Sequence, residues 1–155
     1  MEVSHDGWCF ICKKKGDAGM LDLQSLKKAL EALQVAFDVY DQNERPDHAP
    51  EKIVLRDGVI QRFEFTFELS WKTLKRYLEE YGLEKVDGLN NRDFFRFGFE
   101  QGLLDDPEDW FHYLKMRNQS SHIYDEAKAA LVFAAARKFR QDVQSLIERL
   151  EEKIR

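Results

Sequence analysis

Two cysteines, three prolines and eight glycines in 155 residues exclude several kinds of protein at once. Two thiols are too few for a disulfide scaffold, and so little proline and glycine rules out a collagen-like or low-complexity chain. No apolar run approaches the ~20 residues of a membrane span, in keeping with a mean hydropathy of -0.58. No basic segment followed by an apolar one opens the chain, so a secretory leader is not expected and a cytoplasmic protein is. An excess of positive charge is missing too. The 24 Lys and Arg stand against 29 Asp and Glu, a formal net charge of -5. That excludes a basic nucleic-acid coat while leaving a local basic patch open. Alternating apolar patterns and hairpin turns are lacking, so no strand is expected. What remains is rich in apolar (43%) and charged (34%) residues, with 13% aromatics and 12 Phe. Such a chain can bury one core built from large side chains.

Residues 1–19 follow neither the helical nor the strand period and hold both cysteines. Cys9 and Cys12 form a C-x-x-C after Trp8, with His5 upstream. A zinc site needs further ligands from a second such pair, which the chain lacks, so no metal site is assigned. A thioredoxin-like pair needs a preceding strand. The segment reads as an irregular extension, followed by a helical domain over residues 20–155.

In that domain Leu26, Leu30, Leu33, Phe37 and Tyr40 step by four and three, one face of a helix. Asp22 is its expected N-cap, and Asn43 to Pro46 its end. Pro50 suits the first position of a second helix that runs to Tyr81, with Gly82 as the stop. Its apolar row is Val59, Phe63, Phe67, Ser70/Trp71, Leu74, Leu78 and Tyr81. On the other side Glu64, Glu68, Lys72 and Arg76 stand four apart, a ladder of acid-to-base pairs that reads as a solvated or subunit-facing stripe. A short helix over Asn90–Gly102 carries Phe94, Phe95, Phe97 and Phe99. Asp106-Pro107-Glu108-Asp109 then supplies an N-cap, a proline and first-turn acids for a helix bearing Trp110, Phe111, Leu114 and Met116. A last helix restarts at Tyr124 or Asp125 and runs to about Arg149, with Leu131, Ala134, Ala135, Phe139, Val143, Leu146 and Leu150 inward. The expected fold is an all-α, antiparallel up-down bundle of four to five helices. The aromatic surplus suggests a shared homodimer interface.

Chemistry concentrates in Arg117-Asn118-Gln119-Ser120-Ser121-His122-Ile123-Tyr124-Asp125, a polar run between two good helices. On an unbroken helix His122 falls about 140° from Arg117, so the two converge only if the helix ends between them, and the composition favours a break. Arg117 offers an always-charged planar fork for a phosphate, and His122 can give or take a proton near neutrality. The pair suits phosphodiester cleavage at a ribose 2'-hydroxyl. The plain alternative is an Arg and a His that merely cap and hydrogen-bond a helix junction. Arg92, Arg96, Arg137, Lys138 and Arg140 read as solvated cations.

Arg117-x4-His122-x-Tyr124 resembles the R-x(4–6)-H-x-Y signature of the HEPN superfamily. The strings Arg117-Asn118 and Ser121-to-Glu126 are similar to the branch called nucleotidyltransferase substrate-binding proteins. Phe63 to Lys75, and Gly102-Leu103-Leu104 before Trp110, agree in order, so the likeness spans about Met20 to Leu150. The resemblance implies a helical homodimer with two motif copies facing each other across a cleft. It also implies a minimal nucleotidyltransferase as partner, in a toxin–antitoxin pair, and a metal-independent ribonuclease needing no cofactor. By carry-over Arg117 holds the scissile phosphate, His122 transfers the proton and Asn118 and Ser121 give polar support. Tyr124 is the hydroxyl the partner modifies with AMP. A non-catalytic substrate- or nucleotide-binding subunit is the other implied role.

Overall fold

The structure is a computed structural model that describes residues 21–81 and 86–155. The extension with Cys9 and Cys12, and the expected stop at Gly82, lie outside the described residues. Among those residues there are five α-helices and no strand: α1 (Gln24–Gln42), α2 (Pro50–Tyr81), α3 (Asn91–Glu100), α4 (Pro107–Gln119) and α5 (Glu126–Lys153). A short 3-10 turn, Ser120–His122, separates α4 from α5. No helix is long and apolar enough to cross a membrane.

The helix ends follow local chemistry. Leu23 holds the cap position of α1, one residue later than expected, while Asp22 accepts the Gln24 N–H at 2.9 Å. Pro50 opens α2, where its missing N–H costs nothing. Asn90 caps α3, Asp106 caps α4 and Asp125 caps α5 by accepting the Ala127 and Lys128 N–H groups. Gly102 adopts φ +77° just after α3, a left-handed conformation that side-chain-bearing residues avoid. The end of α1 is held by Lys52, 5% exposed, whose Nζ donates to the Tyr40 and Asn43 carbonyls at 2.7 and 3.0 Å and lies 3.6 Å from the Tyr40 ring centre. These acceptors satisfy a charge that would otherwise be costly to bury.

Long-range pairs give the directions. Lys27 near the start of α1 bonds Glu151 near the end of α5, and Asp41 at the end of α1 pairs with Arg137 at 2.9 Å, so α1 and α5 run oppositely. Thr66 of α2 bonds the Ala29 carbonyl while Lys52 reaches Tyr40, so α1 and α2 also run oppositely. Trp110 packs near Phe67 while Arg117 reaches back to Glu64, which sets α4 against α2. Helices α1, α2, α4 and α5 thus form an up-down-up-down bundle. The short α3 covers its end through Phe94 against Trp71, 5.2 Å between ring centres.

The core is aromatic. Phe37, Phe63, Phe67, Phe95, Trp110, Tyr113 and Phe139 are all essentially fully buried. Phe139 meets Phe63, Trp110 and Tyr113 edge-on at 5.2, 5.6 and 5.0 Å, the arrangement that ring quadrupoles favour. One bundle therefore hides much of the aromatic content that the sequence assigns to a dimer interface. Phe65, Tyr81, Phe99 and Tyr124 stay exposed. The expected inward row of α5 needs correction: Leu131 and Ala134 face out. The buried row is Ala129, Val132, Ala136, Phe139, Val143, Leu146 and Leu150, spaced three and four throughout. Tyr81, expected inward, is exposed and stacks on Tyr77 at 4.9 Å.

Candidate functional site

The polar run between α4 and α5 breaks as its composition implies. α4 persists to Gln119, the 3-10 turn carries Ser120 to His122, and α5 begins after the Asp125 cap. The α-helix gives way to the 3-10 turn between Arg117 and His122, while the backbone stays right-handed helical through Ile123 and is extended at Asp125.

Arg117 occupies the last turn of α4, where the helix dipole favours a cation. Its guanidinium faces α2. Nη1 lies 3.8 Å from Glu64 Oε2, Nη2 lies 3.5 Å from Glu68 Oε1, and Nη1 lies 3.5 Å from Ser120 Oγ. Ser120 is 3% exposed, and its hydroxyl donates to the Glu64 carboxylate with the Arg117 carbonyl oxygen 2.6 Å away. Two carboxylates therefore surround one guanidinium. The Nε of Arg117 and the Oε1 of Gln119 are buried without a hydrogen-bond partner among the described residues.

His122 ends the 3-10 turn and is exposed. Its Nδ1 lies 3.0 Å from the Tyr124 hydroxyl, and the two rings stand edge-on. If the Tyr124 oxygen accepts from Nδ1–H, the Nε2 lone pair is left to take a proton and, from the imidazolium, to give it up. Tyr124 is 81% exposed. Asn118 and Ser121 are exposed neighbours, and the Ser121 hydroxyl donates to the Asn118 carbonyl at 3.4 Å. The site thus comprises two local pairs, Arg117 with its carboxylates and His122 with Tyr124, each with its own hydrogen bonds.

Glu64, Glu68 and Ser120 are the site residues that sequence reasoning does not assign. The two acids show in the sequence as a ladder four residues apart, whose pattern points to Lys72 and Arg76 as partners. Arg76 instead turns to Glu80 at 3.4 Å. The guanidinium beside Glu64 and Glu68 comes from another helix, a contact no local pattern announces.

Beside Arg117 lies an open cavity of about 570 Å³, lined by Ala32, Gln61, Arg62, Glu64, Phe65, Glu68 and Arg117. The other cations expected to be solvated are paired elsewhere: Arg92 with Glu108, Arg96 with Asp93, Arg137 with Asp41 and Lys138 with Asp109. Arg140 lies over the Phe37 ring at 4.3 Å. Away from the site, Tyr113 donates to Asp142, and burial together with that carboxylate pushes the phenol far above its ordinary value. Burial also raises Asp142, against the lowering effect of the Tyr113 hydrogen bond. Among the described residues no group of three or more His, Cys, Asp or Glu is arranged to hold a metal.

The fold recurs in known proteins. A family model described as nucleotidyltransferase substrate binding protein like matches residues 21–152. A Haemophilus influenzae protein named probable ribonuclease HepT is 36% identical over 104 residues, which cover 62% of this chain and 67% of that one. A solved structure from the same organism, described as revealing the fold of a substrate binding domain of a nucleotidyltransferase, matches with a TM-score of 0.75. It is 32% identical, and the match covers 84% of this chain and 99% of that one. A Thermus thermophilus crystal structure matches with a TM-score of 0.61 at 32% identity, over 79% of this chain and 98% of its own.

Proposed function

The chain belongs to the nucleotidyltransferase substrate binding protein like family, and we propose that within it this protein is a HEPN-type toxin. Its activity is a metal-independent ribonuclease, and a partner nucleotidyltransferase silences it by AMPylating Tyr124. The observation that carries the reading is the break between α4 and α5, which sets Arg117 and the hydrogen-bonded His122–Tyr124 pair at one helix junction. The relative named as a probable ribonuclease supports it.

RNA brings its own nucleophile, so the chemistry asks for charge stabilisation and proton transfer. The ribose 2'-oxygen bonds to phosphorus, the bond from phosphorus to the 5'-oxygen breaks, and a 2',3'-cyclic phosphate and a 5'-hydroxyl result. Arg117 steadies the phosphate charge as it grows. His122 moves the proton, and the Tyr124 hydroxyl fixes its tautomer. Asn118 and Ser121 border the pair. Residues 20–155 are the functional unit, working in the cytoplasm as a homodimer whose two motifs face one cleft. An AMP on Tyr124 would put negative charge and bulk beside His122 and repel RNA phosphates.

Purified protein in EDTA should cleave single-stranded RNA, and Arg117→Ala or His122→Ala should abolish cleavage with unchanged circular dichroism. Co-expression with the nucleotidyltransferase and ATP should add one AMP mass at Tyr124. Full activity in both variants would sink the site assignment.

A second reading is a non-catalytic subunit that binds substrate or nucleotide for the nucleotidyltransferase. It is favoured by the two carboxylates on Arg117, which a phosphate must share or displace, and by the likeness to a protein described as such a binding domain. Stable complex formation with nucleotide binding, and uncut RNA, would select it.

A further inference from the structure

Phe65 is an anomaly in the apolar pattern of α2. Phe63 and Phe67 on either side are buried at 0 and 2% exposure, whereas Phe65 is 66% exposed and lines the cavity beside Arg117. A lone exposed Phe is ordinary on a protein surface. Its surroundings set this one apart. Gln61 and Glu68 lie four residues before and three after it, so one helical face presents ring, amide and carboxylate together. Arg62 lines the same cavity, and its guanidinium donates to the Gly58 carbonyl of its own helix at 3.3 Å. Among the described residues no carboxylate forms an ion pair with Arg62, in contrast to Arg92, Arg96, Arg137 and Lys138. The cavity volume of about 570 Å³ lies within the ~300–1,000 Å³ of small-ligand sites.

A flat apolar ring flanked by two guanidinium groups is the combination that holds single-stranded nucleic acid. The ring stacks a base, and the cations follow the backbone. The carboxylates narrow the choice of base. Glu68 offers only acceptors, and its side chain is 46% exposed beside Arg117. Of the four RNA bases, guanine alone presents two adjacent donors, N1–H and the N2 amino group, on one edge. Its O6 and N7 acceptors suit a donor such as the Gln61 amide.

We propose that this cavity is a nucleobase subsite for single-stranded RNA, in which Phe65 stacks a guanine next to the phosphate held by Arg117. Glu68 accepts from N1–H and N2–H, Gln61 donates to the opposite edge, and Arg62 binds the adjoining phosphate. The subsite rests on the reading of Arg117 as a phosphate-binding residue, and it names the substrate that the cleft would prefer.

Binding can be measured without cleavage in the full-length His122→Ala chain, by fluorescence anisotropy of labelled single-stranded oligonucleotides. One is an oligouridine with a single central guanosine, the other has adenosine there. The guanosine oligonucleotide should bind more tightly. Phe65→Leu should weaken both about tenfold, within the stacking range of ~1–3 kcal/mol per base, and Phe65→Trp should restore binding. Glu68→Gln should abolish the guanosine-to-adenosine ratio, a readout unaffected by any uniform loss from loosening Arg117. Arg62→Gln should weaken both oligonucleotides equally. Binding by Phe65→Leu within twofold of its parent would overturn the subsite. So would loss of binding that accompanies a changed mass in light scattering, since Phe65 would then be a subunit contact. RNA that is bound in this pattern but left uncut by the unmutated chain would retain the subsite and remove the ribonuclease. RNA that is cut with no dependence on Phe65 would do the reverse.

Discussion

At the scale of single residues, the buried titratable groups act on stability apart from the candidate site. Asp142 accepts from Tyr113, and burial raises its carboxyl above the usual range, with the charge of Asp109 adding to the effect. A carboxyl with a raised folded-state pKa binds its proton more tightly folded than unfolded. Its contribution is therefore favourable at low pH and fades as pH rises from the unfolded value through the folded one. Asp142→Asn removes that fading. Urea melts from about pH 4 to 7, which spans the rise from an ordinary carboxyl value, should show the stability of the variant, relative to the parent, climbing with pH. A difference independent of pH would mean that Asp142 is not shifted. The same scale shows what is legible in the sequence. Arg117, His122 and Tyr124 stand close together in the chain and form a motif, and the hydrogen bond of His122 with Tyr124 is local. Glu64 and Ser120 are 56 residues apart and meet only because α4 packs across α2. No spacing rule links them.

At the scale of elements, capping chemistry and apolar spacing locate all five helices among the described residues, because both act within a turn or two. The register of α5 is legible in period and, from Ala135 onward, in phase, and only Leu131 and Ala134 near its start are misplaced. Leu131 and Ala134 offer a second apolar row there, and the choice is made by Phe63, Trp110 and Tyr113, which accept Phe139 from other helices. The glycines inside helices separate local preference from packing in the same way. An added Cβ at Gly58 in α2 would meet nothing closer than Arg62 Nη1 at 3.8 Å. Gly58→Ala should then stabilise by about 0.5–1 kcal/mol through helix propensity alone. At Gly98 in α3 the same Cβ would sit 3.1 Å from Leu104 Cδ1 and 3.3 Å from Leu74 Cδ2, in a buried position. Overpacking costs ~1–3 kcal/mol, and because Leu74 and Leu104 are themselves buried and cannot swing away, the upper part of that range applies and exceeds the propensity gain of about 1 kcal/mol. Gly98→Ala should destabilise. Thermal melts of both variants test the pair, and equal shifts of one sign would show that propensity decides both sites.

At the scale of the whole molecule, charge sets how RNA would be held under the proposed function. The net charge is -5, and Arg92, Arg96 and Arg137 each pair with a carboxylate, as Arg117 does with Glu64 and Glu68. Under the proposed function, RNA affinity would come from Arg62, from Arg117 once a phosphate displaces its carboxylates, and from stacking, which is insensitive to salt. Counterion release turns this into a number. Each phosphate neutralised on a single strand contributes about -0.7 to the slope of log K against log salt concentration. Arg62 and Arg117 engaging one strand predict a slope of about -1.4, and the two clefts of a symmetric dimer on one RNA predict about -2.8, both on that basis. Arg62→Gln should remove about 0.7 per protomer, while Phe65→Leu should lower affinity at every salt concentration and leave the slope unchanged. Anisotropy titrations between about 50 and 200 mM salt, the range over which such slopes are read, separate these outcomes. A slope several times steeper would mean that RNA follows a wider surface than the Arg117 cavity. A slope that falls with Phe65→Leu would mean that the ring orders the phosphates rather than simply holding a base, and stacking and charge would then have to be treated as one coupled contact.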